Sequence, residues 1–153
     1  MTATNTLAYT TPATARVART RALSVAAATL AAAAVWVVTV RLLGAHLLVR
    51  FGAGAPQTVG IDFVVGATLV ASLCAWGLLA LLERRTSRAP TIWTVVAVVV
   101  LLVSLSLPLT AGVAVSTKAA LALMHVAAAS VLIPRLRSTS SAQPHPNRDS
   151  MRA

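Results

Sequence analysis

The sequence predicts an all-α integral membrane protein built as a four-helix bundle, and three observations lead to this prediction. Four apolar runs, at residues 22–44, 61–82, 92–110 and 114–134, occupy most of the chain. Each has about the 20 residues that a helix needs to cross about 30 Å of hydrocarbon. The composition is 58% hydrophobic and only 10% charged, far from that of a soluble domain. Because helices satisfy their own backbone hydrogen bonds in lipid, a bundle is the expected architecture.

The boundaries follow from where the apolar runs stop. We expect a transmembrane domain over residues 21–135, flanked by tails at 1–20 and 136–153 that are rich in Thr, Ser, Pro or Arg and are expected to be disordered. Arginines before the first run resemble the start of a secretory signal, but the run is too long for one, so an uncleaved first helix is expected. The predicted helices cover about 22–43, 61–82, 92–110 and 114–134.

The distribution of basic residues predicts the orientation. With four spans, ten Lys and Arg residues fall on the side that holds both termini, and only three fall on the other side. Cytoplasmic loops carry the excess of positive charge, so a multi-pass protein of the cell membrane with cytoplasmic N- and C-termini is expected. The ten are Arg16, Arg19, Arg21, Arg84, Arg85, Arg88, Arg135, Arg137, Arg148 and Arg152, and the three are Arg41, Arg50 and Lys118.

A row of small residues marks the second helix. Ala67, Ala71 and Ala75 recur at four-residue spacing and therefore share one helix face. In lipid, such rows let two helix backbones approach closely. The row predicts a tight helix contact, although an alanine-rich composition would produce the same pattern.

Polar groups inside the spans are the candidate site residues, because each is costly in hydrocarbon. His125 lies about 12 Å below the outer surface, and Ser104 and Ser106 lie at a similar depth on the antiparallel third helix. A hydrogen bond from Ser104 or Ser106 to His125, joining two helices, is the expected role. A proton-carrying or haem-ligating His125 is the sharper alternative.

A second set of candidates lies at the outer rim. Asp62 opens the second helix, where the helix N-terminus favours a carboxylate. Arg41 and Lys118 are predicted at the same membrane level. We therefore expect Asp62 to pair with Arg41 or Lys118 and to hold the outer helix ends together.

Several function classes lack the residues that they need. A proton-coupled exporter requires a carboxylate deep in a helix, and a thiol oxidoreductase requires a cysteine pair, whereas Cys74 is alone. The candidate metal ligands are too few to build a site. The basic residues sit at the ends of spans with few aromatics near them, so nucleic-acid binding is not expected. The sequence indicates no cofactor and no enzymatic activity.

The chain also resembles a known family. The residues that carry the resemblance are QTVG at 57–60, AWGLLALLERRT at 75–86, SLSLPL at 104–109 and LALMHVAAASVLIP at 121–134. In order and spacing they resemble the small actinobacterial membrane proteins grouped as domain of unknown function 6069. The resemblance implies a four-helix membrane protein and no particular activity, so it assigns no site residues.

The functional expectation is a non-enzymatic binding, scaffold or accessory subunit. Its partners would be the lipid bilayer and a second copy or another membrane protein. The alternative is a transporter or channel component for a small or apolar solute, although Thr68, Ser72, Ser104 and Ser130 form only a sparse polar face. A redox or haem protein that uses His125 is the third reading.

Overall fold

A computed structural model describes residues 12–141 of the chain. Four long helices form the bundle: α1 (Pro12–Val37), α2 (Ile61–Arg85), α3 (Ala89–Ala111) and α4 (Val115–Ser141). All four are long and apolar enough to cross a membrane, which confirms the predicted fold class. Most of the large side chains on the outer helix faces are exposed and apolar, such as Leu102 and Val103 on α3.

Two short strands close one end of the bundle, which we call the hairpin end. Strands β1 (Leu48–Val49) and β2 (Gln57–Thr58) pair antiparallel. The connection to α4 extends this sheet, because the amide of Arg50 donates to the carbonyl of Ala111 at 2.8 Å and that of Val113 to Leu48 at 3.1 Å. The 45–60 connection is therefore a folded cap that packs on the helix ends.

Helix α1 reaches this cap through a change of helix type. It widens into a π-helical turn, Val38–Leu42, in which the amide of Leu43 bonds to the carbonyl of Val38 five residues earlier. Gly44 then adopts a φ of 65°, which is strained for a side chain with a Cβ and ends the helix. Further into the bundle, the Trp36 indole donates to the carbonyl of Val59 at 3.0 Å, so α1 also holds the hairpin directly.

The opposite end, which we call the Arg21 end, is held by an ion pair between helices. The guanidinium of Arg21 on α1 binds both carboxylate oxygens of Glu83 on α2, at 3.0 and 2.5 Å. Its Nε also donates to the hydroxyl of Thr139 on α4 at 3.1 Å. The side chains of Arg21 and Glu83 are 5% and 12% exposed. A single bidentate arginine thus joins three of the four helices.

Two of the predicted boundaries are wrong, since both terminal helices are longer than expected. α1 begins at Pro12 rather than at residue 22, and α4 continues through Pro134 to Ser141. Leu136, beyond the proline, is fully buried against Leu79 and Trp93, so packing outweighs the backbone hydrogen bond that a proline forfeits. Residues 12–20 and 136–141 are helical and not tails, while the expected disorder of 1–11 and 142–153 falls outside the described residues.

Removing one member of the ion pair leaves the other charge buried without a partner. We expect Glu83→Gln or Arg21→Met to lower the free energy of unfolding in detergent by about 3–5 kcal/mol. The double variant Arg21→Met/Glu83→Gln should lose clearly less than the sum of the two single changes, since no lone charge remains. Denaturant titration followed by circular dichroism measures all three.

The neighbouring residue Arg84 supplies the control, because it lies on the same helix turn and is exposed. Arg84→Gln should change the unfolding free energy little. Equal losses for Glu83→Gln and Arg84→Gln, or strictly additive losses in the double variant, would show that the pair does not couple the helices.

Candidate binding cleft

A long apolar cleft runs along the bundle between α2 and α3. Its volume is about 630 Å³, and its lining comes from α2, α3, α4 and the hairpin but not from α1. Helix α4 packs closely against both α1 and α3, whereas α2 and α3 make fewer contacts with each other. Helix α4 therefore forms the floor of the cleft, α2 and α3 form its walls, and the opening lies between α2 and α3.

Both ends of the cleft are closed. At the Arg21 end, the Trp93 indole donates to the carbonyl of Ala75 on α2 at 2.8 Å, and Trp93 packs with Leu79 and Leu136 in a buried cluster. At the hairpin end, Val49 and Val59 pack in a second buried cluster and also line the cleft. The walls are thus joined at both ends and separated in between.

The predicted row of alanines lies in this gap. Ala67, Ala71 and Ala75 all line the cleft, and Ala67 and Ala71 are exposed. At Ala75 the row contacts α3, because the Trp93 indole donates to the Ala75 carbonyl. Along the rest of the row, the small side chains leave space.

The structure places His125 and Ser104 at the same cleft but does not bond them. The Ser104 hydroxyl donates to the Leu101 carbonyl at 2.8 Å, and that of Ser106 donates to Val103 at 2.6 Å. The Nδ1 of His125 lies 2.8 Å from the Leu121 carbonyl. The predicted hydrogen bond between α3 and α4 is therefore wrong, because the two serine hydroxyls donate within α3 and the His125 ring bonds through Nδ1 within α4. Ser106 is exposed and is not part of the lining.

The bond made by His125 fixes which ring nitrogen carries the proton. A carbonyl oxygen only accepts, so Nδ1 must be the donor in this contact, and in the neutral ring Nε2 is then an acceptor. No other hydrogen bond of His125 occurs within residues 12–141. His125 is half-buried and lines the cleft. It therefore offers the cleft a hydrogen-bond acceptor from its floor.

The two hydroxyl groups on α2 lack the hydrogen bond within the helix that most hydroxyl groups on the other helices make. Hydroxyls such as those of Ser24 and Ser130 donate to a carbonyl three or four residues earlier. Thr68 and Ser72 line the cleft, and neither makes a hydrogen bond to another residue of the described chain. Ser72 is only 2% exposed. Unpaired hydroxyls are costly in an apolar setting, so both are available to a group in the cleft.

The predicted rim pair of Asp62 with Arg41 or Lys118 is absent. Across residues 12–141 the ion pair within 4.0 Å is that of Arg21 and Glu83. The carboxylate of Asp62 instead folds back against the Cα of Gly60, and the stem of Lys118 packs over Gly112. Asp62 and Lys118 each lie against a backbone glycine, and Arg41 is exposed on the π-helical turn. Asp62 lies at the hairpin end of the cleft.

The most consequential residues missed by the sequence analysis are Arg21 and Glu83. Arg21 entered the sequence analysis only as one of the basic residues that predict the orientation, Glu83 was not singled out, and the two lie 62 positions apart. One signal was present: Glu83 is one of three acidic residues in the chain and stands among many arginines. A lone carboxylate at the end of a span is therefore a candidate for an ion pair between helices.

Fold and cleft together define a class: a multi-pass helical membrane protein with a laterally open apolar cleft that carries a few neutral polar groups. Within residues 12–141, no three His, Cys, Asp or Glu side chains are grouped to hold a metal ion. The family model described as "Family of unknown function (DUF6069)" matches residues 12–142, and the chain belongs to this family. No curated protein and no solved structure matches the chain significantly.

Proposed function

We propose that this is a non-enzymatic binding protein of the cell membrane, whose cleft takes up one elongated apolar molecule directly from the bilayer. The observation that carries the proposal is the cleft itself. Its volume of about 630 Å³ lies within the roughly 300–1,000 Å³ typical of ligand pockets. Its lateral opening faces the hydrocarbon, where such a molecule is dissolved.

The dimensions favour a chain-like occupant. On α2 the lining extends from Asp62 to Ala75, which is about 20 Å along the helix axis. The volume spread over this length gives a mean cross-section of about 30 Å². Since non-bonded carbons stand about 4 Å apart, this area fits one extended hydrocarbon chain.

The arrangement favours binding over catalysis and conduction. Asp62 lies near the hairpin end and His125 about 15 Å further in, so the two ionisable groups of the lining are too far apart to act as an acid–base pair. A channel needs a continuous polar path, whereas both ends of this cleft are closed by packed side chains. A transporter role for an apolar solute would require one of these ends to open.

The charges at the two ends support an orientation. The Arg21 end carries Arg16, Arg19, Arg21, Arg84, Arg85, Arg88, Arg135 and Arg137, and the hairpin end carries Arg41, Arg50 and Lys118. The excess of positive charge favours a cytoplasmic Arg21 end, with both termini inside the cell and the hairpin outside.

Reporter fusions test this orientation. Green fluorescent protein fused after residue 153 should fluoresce, and alkaline phosphatase at the same position should be inactive, because the second enzyme folds only outside the cytoplasm. Phosphatase inserted at Gly54, on the hairpin turn, should be active. The reverse pattern would contradict the orientation.

Filling the cleft should abolish binding without unfolding the bundle. Ala71 lines the cleft, whereas the adjacent Val70 is 62% exposed and lies outside the lining. We expect Ala71→Phe to weaken binding of methyl palmitate about tenfold or more, because the new ring occupies the chain's place. Native mass spectrometry of the detergent-solubilised protein measures this as the fraction of chains that carry one added ester.

The matched control is Val70→Phe, which places the same side chain at the same depth but outside the cleft. It should bind the ester as the wild type does. No one-to-one ester binding by the wild type, or equal losses in the two variants, would contradict a binding role for the cleft.

A further inference from the structure

The middle of the cleft contains a cluster of polar groups at one level. Counted from the hairpin end, Thr68 and Ser72 lie about 10 and 16 Å along α2, and His125 lies about 15 Å along α4. Ser104 lies about 10 Å in from the same end on α3. The polar groups therefore come from both walls and the floor, and they surround the same stretch of an otherwise apolar cleft.

Three of these groups have hydrogen-bonding atoms without a partner in the described chain, and these atoms can bind a ligand. Thr68 and Ser72 have hydroxyl groups without a partner in the described chain, and His125 has an Nε2 acceptor without one. Ser104, by contrast, uses its proton on the Leu101 carbonyl. The cleft thus presents two hydroxyl donors on one wall and one acceptor on the floor.

On this basis we infer that the cleft binds a long-chain carboxylic acid, with its carboxyl group held among Thr68, Ser72 and His125. The inference rests on the proposed binding role of the cleft and names the class of molecule that it takes.

A protonated carboxyl group matches the donors and the acceptor of the cluster. Its O–H donates to Nε2 of His125, and its carbonyl oxygen accepts from the hydroxyl of Ser72 or Thr68. Because the donor and the acceptor are on separate oxygens, one group reaches the floor and the wall together. A single hydroxyl would have to serve both with one atom.

The charge of the lining excludes a permanently ionised head group. No Lys or Arg side chain contributes to the cleft, and an isolated phosphate at this depth would be buried without a counter-charge, at a high cost. A carboxyl group avoids this cost by keeping its proton in a hydrogen bond to His125.

The test compares palmitic acid, its methyl ester and palmityl alcohol by native mass spectrometry of the full chain. The wild type should bind the acid about tenfold more tightly than the ester, a factor that corresponds to the one net hydrogen bond by which the two differ. It should also bind the acid more tightly than the alcohol. His125→Leu should lower the affinity for the acid toward that of the ester and leave ester binding unchanged, because only the acid has the O–H that donates to Nε2. Thr68→Val and Ser72→Ala should weaken the binding of acid and ester alike, because both molecules keep the carbonyl oxygen that accepts from these hydroxyls.

For His125→Leu, ester binding serves as the internal measure of folding, because the ester lacks the carboxyl proton but fills the same cleft. Ser130→Ala is the matched control, since the Ser130 hydroxyl bonds within α4 and lies outside the lining. It should keep the preference for the acid.

The remaining outcomes contradict either the carboxyl site or the binding role of the cleft. Equal binding of acid and ester by the wild type would overturn the carboxyl site and leave the apolar binding role intact. Binding of neither would overturn both. An alcohol that binds as tightly as the acid would overturn the assignment of the head group. Equal weakening of acid and ester by His125→Leu would show that His125 only shapes the cleft, and unchanged acid binding by Thr68→Val and Ser72→Ala would remove the two hydroxyls from the site.

Discussion

The bundle depends on the ion pair between Arg21 and Glu83. Around it the helices have little reason to prefer one arrangement, because in lipid the apolar faces gain no hydrophobic energy by meeting each other. A buried guanidinium must be paired, and here it is satisfied by a carboxylate on α2 and a hydroxyl on α4. This requirement fixes the relative positions of α1, α2 and α4 at one end.

The remaining helix is positioned by the neighbouring tryptophan. Trp93 packs beside this end with Leu79 and Leu136 and donates its indole N–H to α2. The hairpin fixes the opposite end through backbone hydrogen bonds to the α3–α4 connection. With α2 and α3 held at both ends and only small residues between them, the space left over is the cleft. The site is thus a consequence of how the ends are joined.

The sequence was sufficient for those features that depend on length and composition. Four spans, their order and the basic residues at one end follow from the apolar runs and the arginines alone. The helix ends were less predictable, because α4 passes Pro134 in order to bury Leu136 and to bring Thr139 to Arg21. Pro134 disfavours a continuous helix there, but the tertiary contacts of Leu136 and Thr139 stabilise it.

The site was only partly predictable for a similar reason. The sequence analysis selected His125 and Ser104 as polar groups at similar depth, and both line the cleft. Their spacing did not determine the hydrogen-bond partner of either residue. A carbonyl of the same helix is always within reach of a serine, so it competes with any partner on another helix. The alanine row was equally ambiguous, since small residues permit either close packing or a gap. Only the arrangement of neighbouring helices distinguishes the two.

Photo-crosslinking in the membrane is the most direct test of whether α2 and α3 enclose a cleft that binds a hydrocarbon chain. A palmitic acid with a diazirine on its chain would be incorporated into vesicles with the protein, illuminated, and its adducts mapped by peptide mass spectrometry. We expect adducts to concentrate on residues that line the cleft, such as Ala71, Ala97 and Leu132, and to be displaced by unlabelled acid. Adducts spread evenly over lipid-facing residues such as Val70 and Val99, without displacement, would contradict the account.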